Sequence, residues 1–191
     1  MTKDPRFKQG NMILDACCVI NFYATGRMAE IMDTLPQAIF VSDYVKDRES
    51  LAIYASTDDA ALQERRKETI DIEPLIQSGS LSSIALDHDK EAELFVRLAE
   101  RIDDGEAHTG AIAISREWSV VTDDGKAIKV LTQMSPRIQI VQTPDIIKFW
   151  AEHTRADEKL VRETLLNVEL RANYLPSKKH PLKNWWVEKR M

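Results

Sequence analysis

The stretch that most constrains the fold runs from Asp103 to Leu131, DDGEAHTGAIAISREWSVVTDDGKAIKVL, because it carries acids at both ends of one helix-then-strand unit. Ala107, Ala111, Ile112 and Ile114 fall at helical spacing after Gly105-Glu106, and Trp118-Ser119-Val120-Val121-Thr122 is a short β-rich run. The unit therefore reads as a helix feeding a strand that ends on Thr122-Asp123-Asp124-Gly125. Glu106 sits at a helix N-terminus, and Asp123 and Asp124 sit just past the C-terminal end of a strand. Both are places where open α/β sheets carry their chemistry.

The flanking sequence repeats this alternation. Met12-Ile13-Leu14 reads as a strand stopping at Asp15, and Val19, Ile20, Phe22, Tyr23, Met28, Ile31, Met32 and Leu35 continue at helical spacing up to Pro36. Ala38 to Val41 is a second strand, followed by Ser42 and Asp43 as caps of a helix expected to carry Val45, Glu49, Leu51 and Ala52. Residues 57–68 are polar and read as a solvated helix or, nearly as well, a loop, and residues 70–86 read as two extended pieces around a helical turn. Residues 88–102 form an amphipathic helix, and Ile138 to Val141 a last strand. Strands alternating with helices across short loops imply an α/β fold with a parallel sheet covered on both faces.

From Pro144 onward two helical patterns follow, one with Ile146, Ile147, Phe149 and Trp150, the other from Leu160 to Leu170. Periodicity is lost after Pro176, where Trp185 and Trp186 stand among lysines. That pair is read as folding back over an apolar groove or a dimer partner rather than as a stacking patch for nucleic acid. At 191 residues the expected division is one domain over residues 11–142 and a C-terminal helical extension over 143–191.

Bulk properties narrow the class. No apolar run approaches the roughly 20 residues of a membrane span and the N-terminus lacks a secretory h-region, so the cytosol is the expected compartment. The two cysteines, Cys17 and Cys18, are adjacent and read as small buried residues. A net charge of −5 argues against nucleic acid only weakly, because carboxylates gathered around divalent cations add negative charge that the bound metal reverses. The tail lysines and arginine, Lys178, Lys179, Lys183, Lys189 and Arg190, leave a local cationic patch opposed by Glu188.

In a parallel sheet the strand ends carrying Asp15 and the Asp123/Asp124 pair face the same rim, and the helix start carrying Glu106 belongs with them. Carboxylates brought this close repel, and a hard cation such as Mg²⁺ or Mn²⁺ relieves them while leaving positions for water and phosphate. The ordered set Ile13-Leu14-Asp15-Ala16-Cys17-Cys18-Val19-Ile20-Asn21, an acidic helix after Val41, Asp104-Gly105-Glu106-Ala107 and Val121-Thr122-Asp123-Asp124 resembles the PIN-domain nucleases over residues 12–142. The resemblance implies a three-layer α/β/α sandwich and a metal-dependent endoribonuclease, with RNA as substrate. Many bacterial members of that family are VapC-type toxins, so it also implies an antitoxin protein as partner, and a homodimer is expected.

The resemblance makes Asp15 the central metal ligand, with Glu106 and either Asp123 or Asp124 completing the shell. The metal would activate a water for in-line attack on phosphorus and stabilise the leaving oxygen. The sequence departs from the family pattern at the second acidic position: three residues after Val45 stands Arg48, and Glu49 comes one residue later. Glu49 is the expected catalytic acid there, with Asp43 and Asp47 as alternatives. Asn21 is assigned to packing or capping, and His108 to the surface. Thr122 either orients a metal-bound water or satisfies its own backbone. Lys126 and Lys129 lie near enough to the cleft to meet a phosphate backbone, against the plainer reading of a solvated helix face. Two rivals are weighed: a response-regulator-type phosphoacceptor, disfavoured because Asp15 stands alone after the first strand, and a PIN-like scaffold that binds RNA or protein without cleaving.

Overall fold

The structure, a computed structural model, describes residues 6–55 and 66–191. In chain order the elements are β1 (Met12–Leu14), α1 (Ala16–Ala24), α2 (Met28–Thr34), β2 (Ile39–Ser42), α3 (Asp43–Arg48), β3 (Ala52–Tyr54), β4 (Lys67–Thr69), α4 (Glu73–Ser78), β5 (Ser82–Ile84), α5 (Asp89–Ala99), α6 (Asp104–Arg116), β6 (Ser119–Val121), α7 (Gly125–Met134), β7 (Ile140–Val141), α8 (Thr143–Thr154), α9 (Glu158–Arg171) and α10 (Lys183–Lys189).

Five strands make one sheet in the order β5-β2-β1-β6-β7, every pairing parallel, and β3 and β4 form a separate antiparallel pair. Successive residues on a strand point to opposite faces, and β1 shows what each face buries. Met12 and Leu14 enter a core shared with α1, α2, α8 and α9, whereas Ile13 enters a second core built from α5, α6 and α7. Helices thus cover both faces, giving a three-layer α/β/α sandwich. Because β1 and β6 are covered on both sides, every residue of each is buried instead of alternating.

The C-terminal helices are built into this body. Ile146, Ile147, Trp150, Val161, Leu165 and Trp186 belong to the same core as Met12 and Leu14. Trp186 is fully buried and donates its Nε1–H to Glu169 Oε1 at 2.7 Å, so the fold-back reading of the tryptophan pair holds for it. Among the described residues no helix is long and apolar enough to cross a membrane.

Two local expectations are corrected. The helix after β2 ends at Arg48, with Glu49 as an extended C-cap (φ −81°, ψ 139°), and Ala52 belongs to β3 instead of the helix. Leu51 and Ile53 are buried there, and burying alternate residues of an extended segment outweighs their helix-like spacing. The tail, read as aperiodic, contains α10. The solvated helix expected over residues 57–68 lies largely outside the described residues, and its described end, Lys67–Thr69, is strand β4.

Candidate functional site

Strand order fixes where chemistry can sit. The chain steps from β1 to β2 and β5 on one side, then returns to place β6 on the other side of β1. The crevice beyond the carboxyl ends of β1 and β6 is the switch point at which open α/β sheets take ligands. Leu14 pairs with Val121, and Asp15 N–H donates to the Val121 carbonyl at 3.0 Å. The acids following each strand are thereby held side by side. Helix α6 runs back toward the opposite rim, so its N-terminus, with Glu106, starts at this same edge.

Asp15 is 4% exposed and caps α1, its Oδ1 accepting from Ala16 N–H at 2.8 Å. Its Oδ2 accepts from Thr122 Oγ1 at 3.0 Å and from the Cys17 thiol at 3.3 Å. Burial raises its pKa, the Cys17 and Thr122 donors and the Ala16 N–H oppose that rise, and the charge of Asp124 adds to it. Glu106 closes a capping box at the start of α6, its Oε2 accepting from Asp103 N–H at 3.3 Å. Burial, with the charges of Asp124 and Asp15, pushes its pKa up to about 7 from 4.5.

The two adjacent aspartates have different employments. Asp124 caps α7 through Oδ1, which accepts from the Lys126 and Ala127 N–H groups, both at 2.8 Å. Its charge acts on both Asp15 and Glu106. Asp123 points to the other sheet face, where it accepts from Asn21 Nδ2 at 3.0 Å, Thr143 N–H at 3.2 Å, the Thr143 hydroxyl, and Tyr174 Oη at 2.9 Å. Its oxygens are committed to tying α1, α8 and the segment after α9 to the end of β6.

Glu49 stands near the cluster from outside a helix. Burial, then the charges of Asp15, Asp103 and Asp104, raise its pKa. Its carboxylate packs against the backbone of Gly105 so closely that a β-carbon there would collide with Oε1. Asp43 accepts from its neighbour Tyr44 N–H at 2.7 Å and faces His108 Nε2 at 3.6 Å, while Asp47 is exposed.

His108 is a correction: it is 8% exposed, because that side of α6 packs against α5 and α3. Its ring lies against Tyr44 and edge-on to Phe95, and its Nδ1 is buried without a hydrogen-bond partner among the described residues. Burial lowers its pKa, against the raising charges of Asp43 and Glu91. Asn21 does more than pack or cap, since its Nδ2 also donates to Thr143 Oγ1 at 3.1 Å. Thr122 links the acids that follow β1 and β6: its hydroxyl donates to Asp15 and accepts the Asp124 N–H at 3.2 Å. Cys17, read as simply buried, is half-open with its thiol at Asp15. Lys126 and Lys129 are exposed.

The donor set at this rim is all oxygen and negatively charged, the chemistry that suits Mg²⁺ or Mn²⁺ over softer cations. Among the described residues no three acidic, histidine or cysteine side chains already stand at the spacing of a metal shell. Asp124 acts on both Asp15 and Glu106 through its charge, and Asp15 also acts on Glu106. No protein-family model matches the sequence, and no match to it is found among curated proteins.

Proposed function

We propose that this chain is a divalent-cation-dependent endoribonuclease of the PIN type, with Asp15, Glu106 and Asp124 as its metal-binding acids. The observation that carries the reading is the gathering of these acids at the sheet's switch point, where Thr122 ties Asp15 to the Asp124 backbone and burial, with the charges of Asp124 and Asp15, pushes the Glu106 pKa up to about 7. A bound Mg²⁺ or Mn²⁺ would supply charge stabilisation to a phosphodiester under in-line attack by water. Asp15 is the fixed member, held by Thr122, Cys17 and the α1 N-terminus. Asp124 and Glu106 are each anchored at a helix start, and each has a second oxygen to turn toward a cation. Glu49, behind Gly105, is suited to hold water or a cation at the periphery. Asp123 serves as a scaffold for the β6 end through Asn21, Thr143, Tyr174 and the Cys18 thiol, and Asp124 is assigned the ligand role.

Incubating the protein with mixed RNA in Mn²⁺ or in EDTA, beside Asp15→Asn, tests this. The reading expects internal cleavage that needs the cation and fails in the variant. Cleavage that persists in EDTA or in Asp15→Asn rejects it, and tight RNA or protein binding without cleavage favours a scaffold instead. An antitoxin partner and a homodimer belong to the same proposal, and co-purification and sedimentation test them.

A further inference from the structure

A cavity of about 390 Å³ opens beside the acidic rim, between α1 and the segment that follows α9. Ile20 and Asn21 on one side, Asp124 at one end, and Asn173, Tyr174 and Leu175 on the other bound it. Its size falls within the roughly 300–1,000 Å³ of small-ligand sites. Resting on the nuclease reading above, we propose that this cavity is the subsite for an RNA base adjacent to the scissile phosphate, with the Tyr174 ring as its stacking wall.

The Tyr174 ring is fixed before any ligand arrives. Its Oη donates to Asp123 Oδ1 at 2.9 Å, and its ring meets Trp186 edge-on, centroids 5.7 Å apart and planes at 76°. Trp186 is itself anchored through Glu169, which also takes Arg190 Nη1 at 2.6 Å. Asn173 turns the chain with φ +53°, a left-handed conformation that asparagine accepts more readily than most residues, and so returns Tyr174 toward the sheet edge. A half-buried ring held on two sides loses little freedom on stacking, which is what makes a flat wall useful for any base.

The remaining lining suits a base better than a charged group. Ile20 and Leu175 give apolar contact, and Leu175 is half exposed at the mouth. The Asn21 and Asn173 amides supply the polar complement of a base edge, though Asn21 Nδ2 is engaged with Asp123 and Thr143. The only charges on the lining are the two aspartates, which disfavour a phosphate inside the cavity unless a cation lies between. A phosphate bridged to Asp124 by the cation would leave its base beside Tyr174. The C-terminal segment is then part of the substrate site as well as of the core.

The test measures binding of a short labelled single-stranded RNA by fluorescence anisotropy, in Ca²⁺ to hold the phosphate, for the intact chain and for Tyr174→Phe, Tyr174→Leu and Leu175→Ala. Tyr174→Leu is expected to weaken binding about 5- to 100-fold, the worth of one base–aromatic stack. Leu175→Ala should lose a smaller factor, and Tyr174→Phe, which keeps the ring, should lose least. If Tyr174→Leu does not fold, photocrosslinking of 5-iodouridine RNA to the unaltered chain decides, with a crosslink on Tyr174 expected. Variants that bind as tightly as the parent, or crosslinks lying only outside residues 173–175, overturn the subsite while leaving the nuclease reading intact. Failure of the parent chain both to bind and to cleave RNA overturns both.

Discussion

Replacing Glu106 with glutamine should stabilise the metal-free protein at alkaline pH and leave it nearly unchanged below about pH 4.5. In the folded protein the carboxyl titrates at about 7, above its ordinary 4.5, so the native state holds that proton more tightly than the unfolded chain does. Its contribution to stability is therefore fully present below pH 4.5 and lost as pH rises through 7. The gap between 4.5 and about 7 corresponds to about 3 kcal/mol at 1.36 kcal/mol per tenfold change in proton affinity. Glu106 is only partly buried, and solvent screening reduces this to about 1–3 kcal/mol. For a chain of this size each kcal/mol moves Tm by about 2–4 °C, so Glu106→Gln should raise Tm by roughly 2–12 °C at pH 8.5 in EDTA. Glutamine still accepts the Asp103 N–H, so the capping box is kept. Thermal unfolding followed by circular dichroism at about pH 4 and pH 8.5 measures the effect. Adding Mg²⁺ at pH 8.5 should raise the Tm of the parent more than that of the variant. A variant no more stable than the parent at pH 8.5, or equally stabilised at both pH values, would refute the claim that burial and the neighbouring carboxylates together disfavour ionised Glu106 at this rim.

Three further outcomes follow from particular contacts. Gly105→Ala places a β-carbon against the Glu49 carboxylate, a flexible group that swings aside, so stability should change by under about 1 kcal/mol; if Glu49 serves the cation, Mn²⁺ affinity measured by calorimetry should still fall. Glu91, fully buried, takes Arg116 in a two-pronged pair at 2.6 and 2.9 Å and the Asp87 N–H at 2.9 Å. Glu91→Ala strands the arginine and should cost about 3–5 kcal/mol in urea unfolding, while cation affinity is kept. Gly110→Ala drives a methyl group into Leu131 and Leu98 at the junction of α5, α6 and α7; it should cost about 1–3 kcal/mol in the same assay, and a neutral result would show that this seam is loosely packed.

The layered sheet was legible because β1, β2, β6 and β7 are apolar runs closed by polar or acidic residues, and because helix-period stretches lie between them. The convergence of Asp15, Glu106 and the residues after Val121 followed from parallel connectivity alone. What the sequence hid was decided by partners distant along the chain. Asp123 and Asp124 are neighbours with the same chemistry, and only Asn21, Thr143 and Tyr174 assign one of them to scaffolding. Leu51 and Ala52 mimic helical spacing after α3, whereas the β3–β4 pairing takes Ala52 and the Ile70 N–H takes the Leu51 carbonyl into extended structure. The surface assignment of His108 fails because α6 is packed between the sheet, α3 and α5, and buries Ala107 through Ala113. Helix α10 has only seven residues and little periodicity of its own, and it is held by Trp186 inserting beneath Tyr174.

The central claim is that a divalent cation is held by Asp15 and Asp124, with Asp123 excluded, and Mn²⁺ titration followed by electron paramagnetic resonance tests it most directly. The account predicts that Asp15→Asn and Asp124→Asn each weaken Mn²⁺ binding at least about tenfold, as loss of a charged oxygen ligand should. Folded Asp123→Asn should bind within a few-fold of the parent. Loss of binding in Asp123→Asn with full retention in Asp124→Asn would contradict the account.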